Sequence, residues 1–161
     1  MQRNRTEAAR FLEPMQVPDD IVRAASVHWE GDISRGKGTI TAESGYVTAG
    51  YSFGTRFSGD PGTNPEELLA ASHAACFTMA VSLALTRAGH PPAAIDTTAR
   101  VHLRREGPGF DVPLIELNTT ATAPGLDADE FQKLAKAAKE SCPISVALRA
   151  VEIQLTAKLN P

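Results

Sequence analysis

Cysteine is close to absent from this 161-residue chain, which holds two, Cys76 and Cys142. They stand 66 residues apart and form no CxxC pair, which excludes a cysteine-rich zinc module and a small secreted fold stapled by disulfides. Net charge is also small: 16 basic residues against 19 acidic ones leave -3, so the chain lacks the basic field that holds nucleic acid or an anionic membrane. No apolar h-region follows Met1, so no secretory signal is read there, and the reducing cytoplasm is the expected location. Internal repeats and low-complexity tracts are lacking as well. With 42% hydrophobic residues, the length suits one domain with a real core. Its expected partner is a small molecule or a second copy of itself.

One long uncharged run is present, LLAASHAACFTMAVSLALT over residues 68–86, with Cys76 near its middle. Upstream, Asn64 suits an N-cap, Pro65 the first turn, and Glu67 a capping box. Downstream, Gly89 and the pair Pro91 and Pro92 end it. The signals predict a helix of about 24 residues, roughly 36 Å long and apolar nearly all round. Ser72, His73, Ser82, Thr86 and many alanines make it a poor bilayer span, and no second such run exists. A central helix enclosed by sheets or by a partner chain is expected, with Leu69, Ser72, His73, Met79, Ala80 and Leu83 on the face of Cys76.

Around this run the chain reads as an extension over residues 1–24 and a single domain over residues 25–161. Strands are expected at 25–30, 39–43 and 51–57, the first two joined through the glycine-rich turn 31–38. That turn, RGKG at its tip, lacks P-loop spacing and reads as a hairpin connection. After the helix, residues 96–106 alternate, Thr97, Ala99, Val101 and Leu103 facing the core, and a turn at residues 107–109 leads to a second strand at 114–123. Asp127 and Glu130 open a helix whose Phe131, Leu134, Ala135, Ala138 and Cys142 share one face. Pro143 breaks it, so Cys142 sits where a new turn over 143–148 begins. A final strand alternates from Val151 to Leu159. The order β-β-β-α-β-β-α-β indicates an α+β fold with antiparallel sheet.

A thiol in greasy surroundings is ordinarily inert, because burial keeps it protonated. It becomes a thiolate when a guanidinium is brought against it, and the guanidinium in turn needs a carboxylate to hold its fork. Arg56, at the helix entrance, with Glu66 or Glu67 fits those roles. Glu66 precedes Cys76 by ten residues, roughly 15 Å along an unbroken helix. Three arrangements remain: the helix breaks near residues 70–72, Arg56 bridges the gap, or the glutamate serves the cysteine of a second chain. His73, one turn from Cys76, admits a Cys–His hydrolase, although no nucleophile-elbow pattern accompanies it, and no metal site is read. A non-catalytic dimer with an apolar ligand pocket between its central helices is the reading from another functional class.

The segments HWEGDISRGKGTI, TRFSGDPGTNPEELLAASHAACFTMA, IDTTA and CPISVALRA resemble the OsmC and Ohr family of thiol peroxidases, most closely its OsmC branch. The resemblance runs from about residue 27 to residue 159. It implies an intertwined homodimer, with antiparallel sheets wrapped around two long central helices and active sites at the subunit interface. It also implies reduction of organic hydroperoxides in oxidative or osmotic stress defence, with no cofactor. Cys76 matches the peroxidatic cysteine, Cys142 the resolving one, Glu66 the glutamate and Arg56 the arginine; Arg35 is the counterpart of the arginine used in the Ohr branch. Attack by a Cys76 thiolate on the peroxide leaves a sulfenic acid, which Cys142 condenses to a disulfide. Phe53, Phe57, Phe77 and Met79 suit an alkyl substituent. The reductant implied is an external dithiol such as a lipoyl-bearing protein.

Overall fold

The computed structural model describes residues 18–160. The expected N-terminal extension therefore falls largely outside the described residues, and residues 18–24 carry no helix or strand. The chain divides into two compact units, the boundary falling between Leu68 and Leu69.

The first unit is a three-stranded antiparallel meander, β1 (Ala25–Glu30), β2 (Lys37–Ala42) and β3 (Thr48–Ser52). Its first connection is the glycine-rich turn. There the Asp32 carboxylate accepts the amides of Ser34 and Arg35 at 2.9 and 3.1 Å, and the Gly36 amide donates to the Asp32 carbonyl at 2.7 Å. Those amides are spent on the turn itself, as the hairpin reading expects. The third strand is shorter than the alternation suggests, because Ser52 ends it and caps a short helix, α1 (Phe53–Phe57). Ser52 Oγ accepts the Thr55 amide while Thr55 Oγ1 accepts the Ser52 amide, at 3.2 and 2.9 Å. A reciprocal cap of this kind normally advertises itself by Glu or Gln at the third position. Threonine there hid it.

The long helix, α2 (Pro65–Arg87), is continuous. Asn64 Oδ1 accepts the Glu67 amide at 2.8 Å, the expected N-cap. The Glu67 carboxylate turns instead to the Thr63 hydroxyl, which donates to it at 3.0 Å. In the second unit α2 buries only His73, Phe77, Val81 and Leu85, residues four apart and thus one narrow stripe. Met79 and Leu83, expected beside Cys76 on a covered face, are exposed at 74% and 44%. By length and composition α2 is long and apolar enough to cross a membrane.

The stripe packs on a sheet of β4 (Ala94–Glu106), β5 (Gly109–Thr122) and β6 (Glu152–Asn160), in the order β4-β5-β6. Ile115, Leu117, Thr119 and Ala121 of β5 are buried at every second position, as alternation requires. Strands β4 and β5 are antiparallel, whereas β6 runs parallel to β5, so this sheet is mixed rather than antiparallel throughout. The cause is the connection: α3 (Ala128–Ser141) and α4 (Pro143–Ala147) carry the chain back across the sheet, as a parallel crossover needs. Phe131, Ala135 and Ala138 of α3 and Cys142 complete the core with Phe77, Val81 and Leu85.

Phe131 is wholly buried in that cluster. Phe131→Ala is expected to lower the unfolding free energy by about 3–5 kcal/mol, while Lys136→Ala on the exposed face of the same helix should stay within about 0.5 kcal/mol. Denaturant titration checks both, and equal effects would contradict the packing described.

Candidate active site

Two polar clusters stand out, one in each unit. In the first, α1 ends with Arg56, and the loop after it must return the chain to the start of α2. Gly62 makes the return possible: its φ of +144° disfavours a side chain, and a Cβ there would meet Thr55 Cγ2 at 2.7 Å and the Gly50 carbonyl at 2.8 Å. The Thr63 amide donates to the Gly50 carbonyl at 3.0 Å, tying the loop to β3. Glu66, in the first turn of α2, is thereby set against Arg56. Arg56 Nε donates to both carboxylate oxygens, at 3.2 and 3.1 Å, and Nη2 to Oε1 at 2.6 Å. The guanidinium also lies 5.3 Å from the Phe57 ring centroid, and the Phe53 and Phe57 rings are 4.7 Å apart. Bidentate pairing of this kind fixes the plane of the guanidinium.

Arg56, Phe53 and Phe57 line a cleft of about 170 Å³ together with Trp29, Ile33, Tyr51, Ser52 and Pro65. Two of the four expected pocket residues are thus on its wall. Phe77 is enclosed in the core of the second unit and Met79 stands exposed on α2, so neither lines this cleft. Arg35 is exposed on the β1–β2 turn and has no ion pair among the described residues.

In the second unit the two cysteines meet. Cys76 projects from α2, and Cys142 is both the C-cap of α3 and the N-cap of α4. Pro143 at the first position of α4 fixes that break. The two sulfurs are free and stand 3.1 Å apart. Cys142 is fully buried, whereas Cys76 is only partly so. Burial pushes the Cys76 thiol up, and the neighbouring Cys142 adds to the effect. Burial also opposes ionisation of Cys142, but the Ser145 amide, the Cys76 thiol, the Ser145 hydroxyl and the Ile144 amide outweigh it and bring its pKa below the ordinary thiol value. Within this unit Cys76 is the more accessible of the two sulfurs.

His73 is wholly buried, and its Nε2 lies 2.8 Å from Ser145 Oγ. It is bonded to that hydroxyl rather than to a cysteine, which removes the arrangement a Cys–His hydrolase would use. The sequence reading passed over Ser145. The signal was available, because a residue three places after a helix-opening cysteine returns to the same side of the first turn. Among the described residues no group of three His, Cys, Asp or Glu side chains is arranged to hold a metal.

Burial lowers the His73 pKa from its ordinary value of 6.5, so the folded protein keeps the ring neutral. The unfolded chain binds a proton there below about pH 6.5, so the His73 contribution to stability is complete above that pH and is lost as pH falls below it. Between about pH 7.5 and about pH 5.5 the melting temperature should fall more steeply in the parent than in His73→Gln. Thermal denaturation across that range checks this, and parallel curves would contradict it.

The family model described as OsmC-like protein matches residues 57–156. Peroxiredoxin OsmC of Escherichia coli strain K12 is 49% identical over 141 residues, 87% of this chain and 98% of that protein. An organic hydroperoxide resistance protein of Xanthomonas axonopodis pv. citri is 35% identical over 101 residues, covering 62% of this chain and 69% of that one. Among solved structures, an organic hydroperoxide resistance protein from Elizabethkingia anophelis superposes with a TM-score of 0.66 at 28% identity, covering 87% of this chain and 99% of that chain. A match over most of the domain, with near-full coverage of a relative at almost half identity, places the chain in the OsmC-like protein family.

Proposed function

We propose that this chain is a thiol peroxidase that reduces organic hydroperoxides to alcohols, with Cys76 as the attacking sulfur and Cys142 as the resolving one. The observation that carries this reading is the meeting of the two free sulfurs at 3.1 Å from positions 66 residues apart. The names of the relatives in Escherichia coli and Xanthomonas support the substrate class. Cys76 is assigned the first step because a peroxide must reach the sulfur, and Cys142 is fully enclosed.

Cys76 has a raised pKa in its own surroundings, so it needs a cation to react as a thiolate. Arg56, held by Glu66, is the proposed cation, and it also stabilises the charge that develops on the departing alkoxide. Because α2 is one continuous helix over Pro65–Arg87, the reading that needs a break near residues 70–72 is not the one adopted. The reading adopted is that Arg56 and Glu66 serve the Cys76 of a second copy in a homodimer. The exposed Met79 and Leu83 on α2 support it, since such a face is ordinarily covered by a partner.

In the first step the Cys76 thiolate takes the outer peroxide oxygen and becomes a sulfenic acid, while the alkoxide takes a proton and leaves as the alcohol. Cys142 then forms the disulfide with loss of water, and an external dithiol, such as a lipoylated protein in the cytoplasm, returns both thiols. The aromatic cleft beside Arg56 suits an alkyl substituent better than hydrogen peroxide. Defence against oxidative or osmotic stress is the corresponding physiological role. The cleft equally suits a protein that only binds an apolar ligand. That reading requires ligand binding with no peroxide-driven chemistry at sulfur.

Steady-state turnover of an alkyl hydroperoxide with a dithiol reductant separates these readings. Cys76→Ser should abolish turnover. Cys142→Ser should consume about one equivalent of peroxide and then stall, and Arg56→Ala should lose about 100-fold or more in kcat/KM. Normal turnover by Cys76→Ser would overturn the mechanism.

A further inference from the structure

The peroxide step above has no use for His73 or Ser145, yet they bridge the two elements that carry the sulfurs. His73 lies three residues before Cys76 on α2, and Ser145 lies three residues after Cys142 in α4. Their contact is 2.8 Å long, with His73 wholly buried and Ser145 6% exposed. The other ring nitrogen, Nδ1, has no hydrogen-bond partner among the described residues. An imidazole so placed is a poor choice for packing alone, since burying a polar atom without a partner costs free energy that a leucine would not.

The unpartnered nitrogen also bears on the tautomer. With the proton on Nδ1, a buried N–H donor would be orphaned, which proteins avoid more strictly than a bare lone pair. We assign the proton to Nε2 on that ground, so that the ring donates to Ser145 Oγ. That leaves the serine O–H free to donate elsewhere, and Cys142 lies three residues away at the same helix start. We propose that His73 and Ser145 are positioning residues for the second half of the reaction: the Ser145 hydroxyl donates to the Cys142 sulfur as it attacks, and His73 holds that hydroxyl in place. This rests on the peroxidase reading above and concerns only its resolving step. The depressed pKa of Cys142, to which the Ser145 hydroxyl contributes, agrees with it.

The step balances without any further reagent. The Cys142 thiol gives up its proton, its sulfur attacks the sulfur of the Cys76 sulfenic acid, the S–S bond forms and the S–O bond breaks. Hydroxide leaves and, with the released proton, departs as water. His73 takes no proton in this sequence, because burial disfavours its charged form. Its role is to keep Ser145 from turning its O–H to another acceptor.

The test separates the two halves in a single turnover with an alkyl hydroperoxide, using a sulfenic-acid trap for the first step and mass spectrometry of the intramolecular disulfide for the second. Ser145→Ala and His73→Leu should form the Cys76 sulfenic acid at the parental rate, form the disulfide about ten-fold more slowly, and accumulate sulfinic acid in excess peroxide. His73→Gln, which keeps an N–H donor at that place, should resolve within about three-fold of the parent. The parental rate of the first step in the same sample certifies that a variant is folded, and Ser145→Ala carries the test should His73→Leu fail to fold. Parental disulfide formation in Ser145→Ala, or resolution in His73→Gln as slow as in His73→Leu, would overturn the proposal. Absence of any sulfenic acid in the parent would instead remove the peroxidase reading, and this proposal with it.

Discussion

Two sulfurs held in contact constrain everything around them. One is partly exposed and the other fully buried, and the backbone on each side has to hold them 3.1 Å apart. The second unit does so by placing Cys76 at the edge of the buried stripe of α2 and Cys142 at the junction of α3 and α4. A regular helix would leave Cys142 with its amide donors spent on carbonyls one turn back. The break at Pro143 starts a new turn, whose Ile144 and Ser145 amides lower the pKa of the Cys142 sulfur. The core depends on the same junction, because Cys142 is itself one of its packed residues.

The first unit solves a different problem, that of presenting a cation with its plane fixed. A lone arginine on a loop samples many rotamers. Here α1, the return at Gly62 and the N-cap of α2 bring a carboxylate to the Nε edge of Arg56, with Phe57 beside the guanidinium. The Glu66 side chain is 14% exposed and that of Arg56 36%, so the guanidinium keeps part of its surface open while the carboxylate is largely covered.

Much of this was legible in the residues because the decisive signals are chemical rather than statistical. Asn64 and Pro65 mark the start of α2, Asp127 caps α3 through the Glu130 amide at 2.9 Å, and the alternation over β5 matches its buried face. Cysteine before proline located the second sulfur at a break. What was missed depends on geometry that local sequence does not encode. The direction of β6 is set by a crossover spanning two helices. The helix α1 hid behind a threonine in place of the usual cap partner. Phe77 and Met79 looked alike as apolar residues beside Cys76, but a 3.6-residue period sends one into the core and the other outward. The extent of the buried stripe on α2 was overread for the same reason: apolar residues all round the helix do not say which of its faces this chain covers, and it covers the one of His73, Phe77, Val81 and Leu85.

The most direct measurement is intact mass and peptide mapping after one equivalent of an alkyl hydroperoxide. A protein lighter by about two hydrogens, with Cys76 and Cys142 recovered in one cross-linked peptide and both thiols restored by a dithiol, is the expected result. Recovery of both cysteines as unmodified thiols, with the hydroperoxide unconsumed, would contradict a redox function for the pair.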